Sequence, residues 1–407
     1  MDRRNEVSSD ESGSTISPTL RKDIELTNTL SALLDAARNE ELTSELQLLS
    51  TEPREVLSRV LSPNSIISTG SSFALLNTAQ QTAPVGFRSV DFGQCGIVFE
   101  RPGRAYVIKI ARPSFEDALW ADFQAHYAVD QAFKKQESME VQVPKIFSYI
   151  PKTNRWWDRH ITLFDLPHIC FTLPAMALMT ERILPLPKLA RQALIDAYCP
   201  ESSQAAAAAS GINRDYLARI YLGRRRGAND PPSRNFTLRN FNLCLDQMIE
   251  LNLPTQHYAR SIGQALAIMH WSANVDCYDV EFVLGSEAQT TYTQDISRSL
   301  GLSAEEVTGM APHTDVDSMV RVDFERRTTR IWGLDFNLCN VWEERMGLER
   351  PDELIAHLVA FFFENGPYYP RPLLESEPEK SLWFIFSSAY VDTAASLLSQ
   401  RRTLDLH

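Results

Sequence analysis

The chain has 407 residues, of which 44% are hydrophobic and 10% aromatic, so it can fill a large core. Its formal charge of -12 opposes general attraction to a phosphate backbone, and we do not expect a nucleic acid as a partner. The six cysteines form no C-x-x-C pair, which argues against a disulfide framework and against zinc as a cofactor. Its apolar runs are too short for a membrane helix and no signal peptide opens it, so we expect an intracellular protein, cytoplasmic or nuclear, without membrane contact.

The first 85 residues divide into three segments by composition. Residues 1–23 are rich in Ser, Thr, Asp and Glu and predict a disordered tail. Apolar residues at helical spacing predict a helical segment over residues 24–61, with a break near Pro53. Residues 62–85 are rich in Ser, Thr, Asn and Gln and predict a linker. The main domain is therefore expected to begin at about residue 86.

Alternating apolar residues over residues 90–112 predict three short strands at the start of this domain. A turn with Gly93 and Gly96 joins the first two strands, and Lys109 lies on the third. Since glycine has no Cβ, the turn lets the backbone approach a phosphate, and the Lys109 ammonium can reach the same group. We predict Gly93, Gly96 and Lys109 as nucleotide-binding residues, with a plain β-hairpin and a solvent-facing lysine as the alternatives.

A helical pattern over residues 115–133 follows the Lys109 strand. It offers Glu116, Asp122 and Asp130 as acidic partners for the lysine, and Asp122 fits the inner face of the helix best. We therefore count Asp122 among the predicted nucleotide-binding residues.

The remaining pattern divides the domain into a smaller and a larger part. Strand-like runs continue up to residue 184, and helical patterns dominate from residue 185 onward, with two strand-like runs among them. We predict an α+β fold with a small antiparallel β-rich N-lobe over residues 86–184 and a larger, mainly helical C-lobe over residues 185–400. Polar stretches near residues 200–235 and 286–319 predict insertions in the C-lobe.

A candidate catalytic segment follows a helical apolar stripe that ends at His270. Asp276 comes next, and Glu281, five residues further, opens a short apolar strand. This order resembles the catalytic segment of aminoglycoside-phosphotransferase-like and other kinase-like folds, in which an Asp and an Asn hold these places. The resemblance implies that Asp276 is the catalytic base. Glu281 departs from the pattern at the place of a magnesium-binding Asn, but its carboxylate can still supply an oxygen ligand.

A second acidic motif follows the next apolar strand, where Asp335, Phe336 and Asn337 resemble the Asp-Phe-Gly segment of kinases. The resemblance implies a two-lobed protein-kinase-like fold that binds ATP and magnesium, with Asp335 and Glu281 as the metal ligands. A carboxylate at the tip of a rigid strand suits a metal ligand. Asn337 departs from the pattern because it replaces a small glycine.

Six further motifs carry a second resemblance. They lie at residues 218–226, 236–241, 270–271, 279–285, 334–337 and 365–372. Together they resemble a fungal family of domains of unknown function described as zinc finger protein-like, over about residues 86–390. That family has no settled activity, so the resemblance implies no chemistry, and no set of zinc ligands accompanies the motifs.

These observations leave three functions open. The first is a divergent ATP-dependent phosphotransferase that acts on a hydroxyl of a small molecule or a protein. The second is a catalytically inactive, pseudokinase-like interaction or regulatory module. The third is a transcription-associated regulator, which would use the basic run at residues 224–226. The sequence does not specify the phosphate acceptor or the protein partner.

Overall fold

The computed structural model of the chain describes residues 51–68, 86–136, 139–164, 172–227, 236–292, 320–372 and 376–404. All of these residues belong to one unit, Ser44–His407. The tail predicted for residues 1–23, and most of the predicted helical segment and linker, lie outside the described residues.

Strands in the described residues form two sheets. They are β1 (Ile66–Ser68), β2 (Arg88–Phe92), β3 (Gly96–Glu100), β4 (Tyr106–Ala111), β5 (Val141–Gln142), β6 (Ile146–Ile150), β7 (Ala177–Glu181), β8 (Ala218–Tyr221), β9 (Phe241–Cys244), β10 (Glu281–Tyr292) and β11 (Val320–Leu334). The first sheet is antiparallel with the strand order β2-β3-β4-β7-β6. The second has the order β1-β11-β10-β8-β9, and β5 also pairs with β11. Two of its pairings are parallel, β5 with β11 and β8 with β9.

Helices in the described residues pack around these sheets. They are α1 (Pro53–Val60), α2 (Glu116–Lys134), α3 (Trp156–His160), α4 (Lys188–Tyr198), α5 (Glu201–Ala209), α6 (Leu245–Glu250), α7 (Thr255–Trp271), α8 (Glu344–Glu349), α9 (Pro351–Glu364) and α10 (Glu377–Leu404). In the part of the chain that the structure describes, none of them is both long enough and apolar enough to cross a membrane.

Strand β4 shows how the first sheet separates its core from its polar face. Tyr106, Ile108 and Ile110 are at most 5% exposed and point into a core shared with β3 and β7. The intervening residues Val107 and Lys109 point to the opposite face, because side chains alternate along a strand. The alternation therefore places the lysine on the face that lines a cavity.

The second sheet packs on α7, in which 11 of 17 residues are buried. A long antiparallel hairpin of β10 and β11 dominates this sheet, and its register pairs Glu281 with Leu334. Because Asp335 follows Leu334, this register brings the two acidic positions predicted from the sequence to the same end of the hairpin.

The N-terminal described residues belong to the second sheet and its core. Helix α1 buries Val56, Leu57 and Val60, and the Tyr258 hydroxyl donates to the Leu61 carbonyl at 2.9 Å. Strand β1 lies in the stretch predicted as a linker, yet it pairs with β11. Its apolar residue Ile67 is 1% exposed, which the polar composition around it did not indicate.

The fold belongs to the α+β class, as expected from the sequence. The part from residue 185 onward contains α4–α10, but also strands β8–β11, so it has a sheet core besides its helices. Strand β8 falls in the stretch near residues 200–235 predicted as an insertion, and it pairs with both β9 and β10. The stretch predicted as an insertion near residues 286–319 begins in β10, and residues 293–319 lie outside the described residues.

Candidate functional site

A cavity of about 250 Å³ lies between the two sheets. Its apolar walls come from both of them, with Val98 and Val107 on the first sheet and Val283 and Leu334 on the second. The lining also contains ten charged side chains, of which Lys109, Asp122 and Asp335 meet in one cluster that we call the charged end. A cavity with apolar walls and such a cluster suits a ligand that combines a flat ring with charged groups.

Lys109 lies at the charged end and contacts carboxylates from two other elements. Its Nζ donates to Asp122 Oδ2 at 2.7 Å and to Asp335 Oδ1 at 3.5 Å. Burial acts to lower the pKa of Lys109, but the charges of Asp122 and Asp335 outweigh it and hold the pKa above its ordinary value. The ammonium is therefore charged at any physiological pH.

Helix α2 holds Asp122 in place through its packing. Leu119, Phe123 and His126 lie on the same face of the helix as Asp122, at spacings of three and four residues, and all four are buried. The imidazole Nε2 of His126 also lies 2.7 Å from the Pro144 carbonyl oxygen, which fixes the ring. The aspartate is therefore presented to Lys109 by a rigid helix.

Asp335 follows the last residue of β11 and has an unusual backbone conformation. Its φ of 65° lies in the left-handed region, which non-glycine residues adopt at a cost. Burial and the neighbouring charges of Asp122 and Asp279 raise the pKa of Asp335, and Lys109 partly offsets them. A strained, partly exposed carboxylate beside a lysine is a candidate ligand for a cation.

Glu281 forms an ion pair with Arg219 of the neighbouring strand β8. Both side chains line the cavity. Burial raises the pKa of Glu281 to about 7, and the charges of Asp335 and Asp279 add to this effect while Arg219 opposes it. Glu281 thus shares the cavity with Asp335, but unlike Asp335 it has a guanidinium of its own.

The charges that line the cavity do not balance. The described lining contains six carboxylates and four cations other than histidine, which are Asp91, Asp122, Glu181, Asp215, Glu281 and Asp335 against Lys109, Arg182, Arg219 and Arg239. Each cation contacts a carboxylate of this set, through the pairs Lys109–Asp122, Arg182–Asp215, Arg219–Glu281 and Arg239–Asp91. With all of these groups ionised, the lining has an excess of two negative charges, which would repel an anionic ligand unless cations were added.

Asp276 occupies a different environment from the other predicted acidic residues. It is 2% exposed and is not one of the described residues that line the cavity. Its Oδ1 accepts a hydrogen bond from the Asn340 backbone N–H at 2.9 Å, and its Oδ2 accepts one from the Asn340 side-chain amide at 3.0 Å. The His357 ring, 42% exposed, lies 3.4 Å from the same Oδ2. The carboxylate is therefore held by protein groups on both oxygens.

The two glycines of the predicted loop have different surroundings. Gly93 lines the cavity, and its N–H donates to the Gly96 carbonyl at 2.9 Å, which closes the turn. A Cβ on Gly96 would lie 2.7 Å from the Ile110 carbonyl oxygen. Gly96 is thus required by the close approach of β3 to β4, whatever binds nearby.

The structure brings Lys109, Asp122, Asp335 and Glu281 together at one cavity, with Gly93 beside them. Sequence reasoning missed Arg219 as a member of this group. In the nearby basic run at residues 224–226, the structure pairs Arg225 with Glu379 and Arg226 with Asp246. The sequence signal for Arg219 was weak, because its partner Glu281 lies 62 positions further along the chain.

Comparison with known proteins gives one finding over the C-terminal part of the chain. A sequence profile of the family DUF3669, described as "Zinc finger protein", matches residues 331–402. The match agrees with the resemblance drawn from the sequence motifs, over a shorter stretch. No curated protein matches the chain.

The family description does not correspond to a zinc site in the matched stretch. That stretch contains one cysteine, Cys339, and one histidine, His357, whereas a structural zinc site takes four ligands. Within the described residues, no group of three or more His, Cys, Asp or Glu side chains is arranged to hold a metal ion. A magnesium ion needs fewer protein ligands, because water and phosphate oxygens complete its shell.

Proposed function

We propose that the chain has a kinase-like, two-lobed architecture, that its cavity binds a nucleoside triphosphate with magnesium, and that it works as a nucleotide-binding interaction module. The observation that carries the proposal is that Lys109 of β4, Asp122 of α2 and Asp335, which follows β11, meet in one cavity with apolar walls. Nucleotide-binding clefts of kinases combine a strand lysine, its acidic partner on a helix and a metal-binding aspartate in this way.

The cavity suits a nucleobase. Val98 and Val107 of the first sheet and Val283 and Leu334 of the second line the cavity, and aliphatic walls of this kind can enclose a flat ring. The connection between the sheets passes along the same cavity at Ile183. We find no hydrogen-bond partner for the Ile183 N–H among the described residues, which leaves a donor for the edge of a base.

The charged end suits phosphates only when a metal is present. Lys109 supplies one positive charge, while the cavity as a whole has two more carboxylates than cations. A triphosphate would be repelled unless a divalent cation neutralised it. Asp335 would hold that cation, which would supply the positive charge that the phosphates need.

The burial of Asp276 favours binding over turnover. A catalytic base must come within about 3 Å of the hydroxyl it deprotonates. Asp276 is instead enclosed and already accepts hydrogen bonds on both carboxylate oxygens. The pseudokinase-like alternative therefore accounts for this carboxylate more directly than a phosphotransferase does.

Nucleotide titration with and without magnesium tests the proposal. We expect ATP to raise the thermal midpoint and to release heat in calorimetry only when magnesium is present. Lys109→Ala and Asp335→Asn should each weaken binding at least about tenfold, as loss of a charge-assisted contact does. Lys380→Ala, at an exposed lysine, is the matched control and should change nothing. Absence of any response at millimolar ATP and magnesium would end the proposal.

A phosphotransferase is the second candidate, because the segment that begins at Asp335 also contacts Asp276. Asp276 accepts its hydrogen bonds from Asn340, which lies five residues after Asp335 on the same segment. A shift of that segment would uncover the Asp276 carboxylate near the bound metal. A phosphotransferase moves the γ-phosphoryl group of ATP to an acceptor hydroxyl and leaves ADP. Formation of ADP by the wild-type chain that disappears in Asp276→Asn, while ATP binding persists, would replace the binding function by this one.

A further inference from the structure

We propose that the cavity holds a single divalent cation, on Asp335, and that Arg219 supplies the second positive charge for the nucleotide phosphates. Kinases place a second magnesium ion at the position that Glu281 occupies here. The inference rests on the proposed nucleotide binding and specifies its ligand as a nucleotide with one metal ion. It departs from the expectation that Glu281 is a metal ligand.

The register of the second sheet places Arg219 beside Glu281. Strand β8 pairs with β10 so that Arg219 lies opposite Val283. Glu281 is two residues before Val283 and points to the same face, since side chains alternate along a strand. All three side chains line the cavity, and the guanidinium of Arg219 forms an ion pair with the Glu281 carboxylate.

The pair is held by the sheet on both sides. Arg219 also pairs across to Asn242 of β9, so β8 is an inner strand between two neighbours. The two side chains are only 23% and 15% exposed, and neither can leave the other without exposing a charge to a confined space. A divalent cation gains little from Glu281, because the carboxylate is already neutralised by the guanidinium.

Asp335 has the opposite properties. Its side chain is 34% exposed, and its contact with Lys109 is long, at 3.5 Å. The shorter of the two hydrogen bonds that the lysine donates goes to Asp122, at 2.7 Å. Of the two acidic residues predicted as metal ligands, Asp335 is therefore the one whose oxygens remain open to a cation.

Arg219 has donors to spare for a phosphate. A guanidinium carries five N–H donors in a fixed plane and can serve a carboxylate with one edge and a phosphate with the other. Asp335 and Arg219 line the same cavity, so a phosphate bound near a metal ion on Asp335 would share that cavity with Arg219. Arg219 would thus supply, from a fixed position, the positive charge that a second metal ion supplies in kinases.

Manganese titration monitored by electron paramagnetic resonance counts the metal sites in the full chain. We expect one Mn²⁺ ion in the wild type, both alone and with a non-hydrolysable ATP analogue. Asp335→Asn should weaken Mn²⁺ binding at least tenfold, whereas Glu281→Gln should change the Mn²⁺ affinity by less than twofold. Asp279→Asn is the matched control, because Asp279 is an exposed carboxylate that also lies near Asp335.

Arg219→Met separates the two roles of the pair. Without its guanidinium, Glu281 becomes a free carboxylate, so a second Mn²⁺ ion should bind, and the analogue should bind about tenfold more weakly at low metal. The double variant Arg219→Met, Glu281→Gln removes both charges together, so that neither residue leaves an unpaired charge in the folded protein. It should return the metal count to one and keep the weaker analogue binding.

Three results would overturn the inference: two Mn²⁺ ions in the wild type, a loss in Glu281→Gln as large as in Asp335→Asn, or no Mn²⁺ bound at all. Failure of the nucleotide proposal looks different. In that case the analogue gives no heat in calorimetry with any variant, while the Mn²⁺ count still follows Asp335 and Arg219.

Discussion

Asp335 directly follows β11, whereas Asp276 lies in the loop between α7 and β10, and their side chains are 34% and 1% exposed. Asp276 accepts hydrogen bonds from Asn340 and forms part of the interior. Asp335 faces Lys109 and the cavity. Two identical side chains thus have different chemistry available to them, because access to a ligand and not residue type limits what a carboxylate can bind.

His270 shows the same principle for a base. It is 4% exposed, and its Nδ1 lies 2.9 Å from the Tyr390 hydroxyl. Burial lowers the pKa of His270 from 6.5 to about 3. The ring therefore stays neutral in the folded protein under conditions in which the unfolded chain takes up a proton.

We expect His270 to make the protein less stable in mild acid. Above pH 6.5 both states hold the ring neutral, so its full contribution is present. Between pH 6.5 and about 3 only the unfolded state binds the proton, and the free energy of unfolding falls by about 1.4 kcal/mol per pH unit. Urea unfolding between pH 7 and pH 5 measures the slope. His270→Gln, which cannot titrate, should show a shallower slope, and equal slopes would contradict the assignment.

At the scale of elements, the contact between α7 and α10 depends on a glycine. Gly263 lies inside α7, where glycine is otherwise unfavourable. A Cβ at this position would lie 2.5 Å from the Phe386 carbonyl oxygen of α10, which is backbone and cannot move aside on its own. The glycine therefore allows the two helices to pack at close distance.

Gly263→Ala should force α7 and α10 apart. Helix propensity favours alanine, but the steric conflict with the Phe386 carbonyl outweighs it, and we expect a net loss of about 1–3 kcal/mol in the free energy of unfolding. Gly211→Ala is the matched control, because a Cβ there meets nothing within 4 Å. Chemical denaturation of both variants decides the point, and similar midpoints for the two would show that the close approach is not required.

At the scale of the whole molecule, a buried ion network connects the two sheets. Glu100 of β3 is 0% exposed and pairs with Arg88 and with Arg182, which is 4% exposed. Arg182 and Arg88 each also contact Asp215, at 2.9 Å, in the segment that leads into β8. The network therefore joins strands of the first sheet to the part of the chain that forms the second.

Glu100→Ala should weaken the folded protein as a whole. It leaves Arg182 and Arg88 sharing one carboxylate, and breaking a buried pair in this way costs about 3–5 kcal/mol. Glu349→Ala removes one partner of the exposed pair with Arg345 and should cost below about 1 kcal/mol. Calorimetric unfolding compares the two. A loss at Glu100 as small as at Glu349 would mean that the network adds no stability.

Local sequence patterns were sufficient to predict those site residues that one strand or one helix positions by itself. Alternation along β4 identifies Lys109, the helical face of α2 identifies Asp122, and the end of an apolar strand identifies Asp335. Each of these signals spans fewer than 20 residues. The strand character of β1 and β8 was not recovered, because short strands in polar surroundings are defined by their partners, β11 and β10.

The sequence by itself determined the α+β class and the order of the lysine and the acidic residues along the chain, since periodicity and spacing are local properties. Only the tertiary structure decided that Arg219 neutralises Glu281 and that Asn340 encloses Asp276. These partners are 62 and 64 positions apart, and strand register and segment packing determine whether such residues meet. The charge and accessibility of each carboxylate therefore follow from long-range contacts that no local pattern encodes.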